Sequence, residues 1–146
     1  MQIVPMRAEH TARLAELEKI CFSEPWSEKA LLEETENPAA FFVAAVDGSE
    51  VLGYGGMHTV LGESYIDNIA VFPEYRGRGV GRAVTMALVE KARADGGVFI
   101  TLEVRASNLP AITLYRSMGF ESAGVRKRFY TEPEEDAVIM TLSFSE

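Results

Sequence analysis

A single cysteine, Cys21, stands in a chain of 146 residues, so no disulfide can form within it. That usage is expected of a protein of the reducing cytoplasm. No covalent staple is needed either, because a domain of this length buries roughly 70% of the surface its unfolded chain exposes. Histidine is nearly as scarce, with only His10 and His58. Neither stands at ligand spacing from the cysteine or from a carboxylate cluster, so no metal site is expected. Basic residues are outnumbered, 14 Lys and Arg against 22 Asp and Glu, for a net charge of −8. Phosphate contacts need an excess of cations, so this balance argues against a general nucleic-acid binder, while a basic partner is compatible with it. No apolar run approaches the ~18 residues of a membrane helix. Met1 to His10 lacks the basic region and long apolar stretch of a secretion signal. With no repeat, low-complexity tract or linker, the chain is read as one domain over 1–146; its oligomeric state is not readable from the sequence, with a monomer favoured.

What is present is a soluble globular pattern, 47% hydrophobic and 25% charged. Leu14, Leu17, Ile20 and Cys21 recur at helical spacing, predicting an amphipathic helix over 8–22, with Cys21 as a small buried hydrophobe. Pro25 interrupts it, and Ser27 is placed to cap a second short helix through Glu34. The apolar run 41–46, the turn Asp47-Gly48 and the run 51–60 predict a hairpin. A strand follows over 65–72. Val80, Val84, Leu88 and Ala92 share one face of a helix over 80–94, closed by Gly96-Gly97. A buried strand is expected at 98–104 and a short helix at 110–118 ending at Gly119. Two final strands, 125–130 and 137–144, are joined by the acidic stretch Glu132 to Asp136. With one leading strand, the order is β, α, α, β, β, β, α, β, α, β, β. The expected class is therefore α/β in the broad sense (α+β), a single mixed sheet flanked by helices.

Chemistry concentrates in three places. Arg76-Gly77-Arg78-Gly79-Val80-Gly81-Arg82 lies between a strand and a helix. Its glycines let a ligand approach the backbone, and the helix start offers unpaired N–H groups, so it suits a pyrophosphate cradle. The spacing fits neither the dinucleotide fingerprint nor the nucleotide P-loop, and a plain strand-to-helix turn with solvated arginines is the other reading. Glu103 ends an apolar strand, as a general base does, or as a structural carboxylate paired with Arg105 or Arg126 does. Asn108 suits the cap of the helix containing Pro110, and Tyr115 shares a helix face with Ile112 and Gly119, where packing alone explains an aromatic.

Together these residues resemble the Gcn5-related N-acetyltransferase (GNAT) superfamily, through Arg76-x-x-Gly79-x-Gly81 with Asn108 and Tyr115 beyond. Asn68-Ile69-Ala70-Val71, Leu102 to Asn108, Ala111-Ile112-x-Leu114-Tyr115, Arg126-x-x-x-Tyr130, Glu135-Asp136-Ala137 and Pro25-Trp26-Ser27 are similar to its RimI-type subfamily of ribosomal-protein-alanine N-acetyltransferases. The matching segments run from residue 22 to 140.

The resemblance implies a mostly antiparallel sheet of about seven strands with about four helices, its central strands splayed apart near Val71 and Val104. It implies acetyl-CoA as co-substrate and no metal. The pantetheine arm would bond the backbone of Ile69, Ala70 and Val71, and the pyrophosphate would rest on Arg76, Gly77, Arg78, Gly79, Val80, Gly81 and Arg82. Asn108 would also touch the cofactor. Glu103 would take the amine's proton and Tyr115 would protonate the leaving thiolate, by direct transfer in a ternary complex. The acceptor would be a ribosomal protein's N-terminal alanine. It would pass between Phe22, Trp26 and Ser27 on one side and Phe129, Tyr130 and the acidic stretch on the other. Phe129 stands where the family commonly has a tyrosine. Phe22 and Trp26 could equally close the core. A lysine or small-amine acetyltransferase is the rival within the same chemistry. A non-catalytic acyl-CoA-binding module is the rival outside it, but such a module needs neither Glu103 nor Tyr115.

Overall fold

The computed structural model describes residues 1–144. The elements are β1 (Gln2–Pro5), α1 (Ala8–Cys21), α2 (Glu28–Glu34), β2 (Ala40–Asp47), β3 (Glu50–Val60) and β4 (Glu63–Val71). A one-turn 3₁₀ helix (Pro73–Tyr75) leads to α3 (Val80–Ala94), β5 (Phe99–Arg105), α4 (Leu109–Ser117), β6 (Glu121–Thr131) and β7 (Glu134–Ser143). Each helix starts and ends within a residue of where spacing and capping placed it. Ser27 accepts a hydrogen bond from the Ala30 N–H at 3.1 Å, and Asn108 accepts one from Ala111 at 3.3 Å, so both act as N-caps. The largest departure is at the end of the chain. Val125 to Tyr130 was expected to be a free-standing strand before an acidic loop. Instead β6 and β7 run on to Thr131 and from Glu134, so most of the acidic stretch is strand and the turn is reduced to Glu132-Pro133.

The seven strands lie in the order β1-β2-β3-β4-β5-β7-β6. Every neighbouring pair is antiparallel except β4 and β5. That parallel pair is joined only from Glu63 to Tyr65 against Phe99 to Thr101. Beyond Tyr65 the two strands part. β4 stays bonded to β3 as far as Val71, and β5 to β7 as far as Arg105. Each is thus anchored on its outer edge and open on its inner one. At the point of parting, Gly56 pairs with Asn68 but Met57 pairs with Ile66, which leaves Asp67 as the extra residue of a bulge.

Side-chain alternation sorts the core into two layers. Val43, Leu52, Ile66, Ile100, Leu102 and Val104 pack with α3 and α4 on one face. Phe42, Tyr54, Ala70 and Phe72 pack with α1 and α2 on the other. The glycines of β3 set how closely these layers approach. A Cβ on Gly55 would lie 2.5 Å from the Val84 side chain of α3, and one on Gly56 would lie 2.4 Å from the Phe42 ring. Residues 55 and 56 must therefore be bare on opposite faces of the sheet.

Candidate active site

The gap between β4 and β5 is the centre of the site, because two strand edges with unpaired N–H and C=O groups face each other there. The β4 edge includes Ile69, Ala70 and Val71. The Val71 carbonyl accepts a hydrogen bond from Arg76 Nε at 3.2 Å, which ties the end of that edge to the following loop.

That loop has the form of an anion cradle. Gly77 and Gly79 take φ of 79° and 81°, where L side chains are strained, and a Cβ on either would meet no atom within 4 Å. The space above them is open to a ligand. Gly79 caps α3, whose first-turn amides, Val80, Gly81 and Arg82 among them, have no partner within the helix. Arg76, Arg78 and Arg82 form no ion pair among the described residues. Arg78 lies over the Tyr75 ring at 5.6 Å, and Arg82 donates to Ser117 Oγ at 2.7 Å, fastening α3 to the end of α4. Unpaired arginines over an open glycine loop fit both the cradle and the solvated-turn reading of this segment.

Glu103 and Tyr115 lie on opposite faces of the sheet. On β5, Leu102 and Val104 point into the α3/α4 layer, so Glu103 points to the α1/α2 side. Arg126 Nε donates to Glu103 Oε2 at 2.8 Å, realising one of the pairings open from the sequence. Oε1 takes no hydrogen bond among the described residues. Tyr115 belongs to the α3/α4 layer, where its ring packs 5.8 Å from that of Phe120. Among the described residues it has no hydrogen-bond partner, yet no buried side-chain polar atom is left unpartnered there. The phenol oxygen therefore reaches solvent while the ring is buried. Burial, assisted by the neighbouring Tyr130, pushes its pKa up to about 12, so it keeps its proton at neutral pH. Core packing accounts for the ring, while the protonated phenol oxygen stays accessible.

The α1/α2 side of the gap carries the aromatic and acidic residues. Trp26 packs on Phe42 with 5.7 Å between ring centroids, and its N–H donates to Glu18 at 2.8 Å. Phe22 is half-buried against the same layer. Thr131 of β6 donates to Glu24 at 3.2 Å, so the 22–27 loop and the β6–β7 hairpin do stand side by side. Phe129 and Tyr130 meet edge to face at 5.0 Å, and Arg105 lies 4.3 Å from the Tyr130 ring centroid. The acidic stretch is less free than its sequence implies. Glu134 pairs with Arg128 at 3.6 Å and Asp136 with Lys127 at 3.4 Å. Glu135 pairs with Arg105 at 3.2 Å and accepts the Ser107 N–H at 2.6 Å, which lowers its pKa and pins the turn before α4.

Two buried or half-buried clusters here escaped the sequence reading. Glu18, fully buried, accepts from Tyr54 at 2.6 Å, from Asn68 at 3.1 Å and from Trp26. Burial pushes its carboxyl pKa up despite these bonds. His58, expected to stand apart from any carboxylate, is bonded by Asp67 at Nδ1 and by Glu34 at Nε2. Burial works to lower its pKa, but those two carboxylates outweigh it and raise the value. The partners lie 9 and 24 residues away, joined by the β3–β4 hairpin and by α2, so no local spacing could reveal them. Among the described residues no cluster of three or more side chains is arranged to hold a metal.

A splayed mixed sheet with an anion loop at a helix start and a carboxylate and a phenol at its gap defines an acetyltransferase fold. The profile of the acetyltransferase (GNAT) family matches residues 11–120, and the chain belongs to that family. A ribosomal protein bS18-alanine N-acetyltransferase from Escherichia coli K12 is 38% identical over 123 residues, covering 83% of this chain and 82% of that protein. The N-alpha-acetyltransferase RimI of Mycobacterium tuberculosis is 40% identical over 134 residues, covering 88% and 83%. The crystal structure of the ribosomal-protein-S18-alanine N-acetyltransferase from Escherichia coli superposes with a TM-score of 0.89 at 32% identity, over 99% of this chain and 94% of that one. The same fold recurs at 18% identity and a TM-score of 0.88 in yncA of Salmonella typhimurium, solved with its cofactor acetyl-CoA, over 100% of this chain and 95% of that one.

Proposed function

We propose that the chain is a cytoplasmic acetyl-CoA-dependent acetyltransferase of protein N-termini, whose acceptor is the N-terminal alanine of a small-subunit ribosomal protein. The observation that carries this reading is the open glycine loop at the start of α3 beside the parting of β4 and β5, with Glu103 on one face of the sheet, Tyr115 in the layer on the other, and the aromatic walls on the Glu103 side. The residues present fit the co-substrate. The glycine loop is open where a pyrophosphate would lie, its amides and three arginines are uncompensated, and the β4 edge at Ile69 and Ala70 offers backbone groups to a pantetheine amide. Asn108, occupied as a cap through its carbonyl oxygen, keeps its amide nitrogen for the same ligand.

Acetyl-CoA supplies an activated acetyl group. Glu103 withdraws a proton from the incoming ammonium, breaking an N–H bond and leaving the lone pair that forms the new N–C bond as the C–S bond breaks. Tyr115 delivers its proton to the sulfur that departs with the electron pair, and the second proton of the new N–C nitrogen, acidified as the bond forms, is lost as the amide forms and restores the phenol. Neither step needs a nucleophilic cysteine. Cys21 is half-buried against Arg76 at 3.5 Å, with its thiol pKa raised by burial. Chain termini suit this machinery better than lysine. An α-amino group is roughly 10–15% neutral at pH 7, whereas lysine is about 0.04% neutral. Relatives named for ribosomal protein bS18 support the acceptor class. Incubating the protein with acetyl-CoA and peptides that start with free alanine tests this reading, with acetylation at the α-amine expected. Acetylation confined to internal lysines would replace it with the lysine-acetyltransferase reading.

A further inference from the structure

The bulge residue of β4 places a second carboxylate at the acceptor side of the gap. Met57 belongs to the α3/α4 layer, so its neighbour His58 projects to the α2 side, where Glu34 ends that helix. Asp67 joins them, and the imidazole bridges the two carboxylates. The Asp67 backbone is open at the strand gap, yet its side chain is only 26% exposed, because it leans back onto His58. Only Oδ2 is used in that bond; Oδ1 takes no hydrogen bond among the described residues. Two residues beyond Tyr65 and Thr101, the last pair that joins β4 to β5, Asp67 and Glu103 come opposite each other across the opening gap, both on the α1/α2 side of the sheet. Asp67 and Glu103 thus resemble each other. Each has one oxygen tied back to a basic group, His58 or Arg126, and one left free on the same side of the sheet. Two free carboxylate oxygens near each other repel, and a cation between them relieves the repulsion. The acceptor arrives as such a cation, since most α-amino groups are protonated at neutral pH.

We propose that Asp67 is the amine-docking residue of this acetyltransferase. Its free oxygen accepts a hydrogen bond from the acceptor's ammonium group beside Glu103, and His58 and Glu34 act through it as positioning residues. The proposal rests on the reading of the site as an amine acceptor given above. His58 has a physical reason to be there. A lone carboxylate would hold the proton on the amine and slow its loss to Glu103, and an imidazole between Asp67 and Glu34 offsets part of that charge.

The test is steady-state kinetics with an alanine-starting peptide, together with inhibition by the same peptide carrying a hydroxyl in place of its terminal amine. A charge-assisted hydrogen bond is worth roughly ten- to hundredfold in affinity. Asp67→Asn is therefore expected to raise the peptide KM about tenfold or more, with the acetyl-CoA KM within twofold and kcat within about threefold. Inhibition by the hydroxyl peptide should be unchanged, because that peptide has no ammonium to dock. His58→Gln leaves the charge of Asp67 but loosens its hold, and should raise the peptide KM by about threefold with the same selectivity. This second variant decides the matter if Asp67→Asn does not fold. An equal weakening of the hydroxyl peptide, or peptide and acetyl-CoA KM rising together, would overturn the proposal and leave Asp67 a structural partner of His58. Should the parent enzyme accept only lysine, the N-terminal reading fails by itself. The KM of the lysine peptide under Asp67→Asn then tests docking in the same way.

Discussion

Gly79 has a φ of 81° and open space where a Cβ would project, so steric strain and ligand exclusion can be separated at this residue. Gly79→Ala and Gly79→Asp should each cost about 1 kcal/mol of stability for the left-handed backbone. Only the aspartate adds a charge that repels a pyrophosphate, and it should abolish acetyl-CoA binding in calorimetry. Unchanged affinity would show that the loop is not the cradle. At Tyr115 the same separation is made by removing one atom. Tyr115→Phe keeps the packing against Phe120, so thermal stability and acetyl-CoA affinity should stay near parental values while kcat falls by ~10²–10⁴-fold. A loss below about threefold would return Tyr115 to packing alone. The glycine loop was legible in the sequence because its residues lie together in the chain, whereas Glu103 and Tyr115 could be given catalytic roles only through the family resemblance, since a structural pair and core packing explain them equally from the residues alone. Glu18 and the His58 pair of carboxylates were not, because each is assembled from three elements and only the folded sheet brings them together.

Among the elements, α2 and the β3–β4 hairpin meet through His58, and this contact gives the protein a pH signature. The pKa of His58 is raised above its ordinary 6.5 in the fold. A raised group contributes stability that is fully present below its unfolded value and is lost as pH rises through the folded value. The melting temperature should therefore decline from about pH 6.5 upward through the folded pKa, and His58→Gln should remove that part of the slope. A parental profile identical to that of His58→Gln would contradict the bridged arrangement. The groove walls give a second prediction. Trp26 is packed on Phe42, while its bond to Glu18 comes from the backbone N–H and survives substitution, so Trp26→Ala should lower stability and peptide binding through the lost ring contact. Tyr130 is half-buried, stands at the hairpin and carries no hydrogen bond, so Tyr130→Ala should raise the peptide KM well beyond any change in acetyl-CoA KM. Equal changes in both would assign Tyr130 to the core. Helix boundaries were legible because periodicity and caps are local. The lengths of β6 and β7 were not, because charged residues such as Glu134 and Glu135 read as loop until cross-strand partners at Arg128 and Arg105 are in view.

For the molecule as a whole, the order of strands and helices followed from hydrophobic patterning. The parting of β4 from β5 could be expected only through family resemblance, since nothing in either strand's residues shows where pairing stops. That gap makes the fold a two-sided device, with the anion loop and Tyr115 on the α3/α4 side and Glu103 with the aromatic walls on the other. A ligand that binds only the folded state at about a hundred times its Kd stabilises it by about 2.7 kcal/mol. Acetyl-CoA at that level should raise the melting temperature by roughly 8 °C for a chain of this size, and the Gly79→Asp variant should show no such rise. Mass spectrometry of a peptide panel after incubation with acetyl-CoA tests the central claim most directly. The account predicts a single acetyl group on the α-nitrogen of peptides that begin with free alanine, lost with Glu103→Gln, and none on the same peptides with a blocked terminus and an internal lysine. Acetyl groups on the internal lysines, with the free alanine termini untouched, would contradict it.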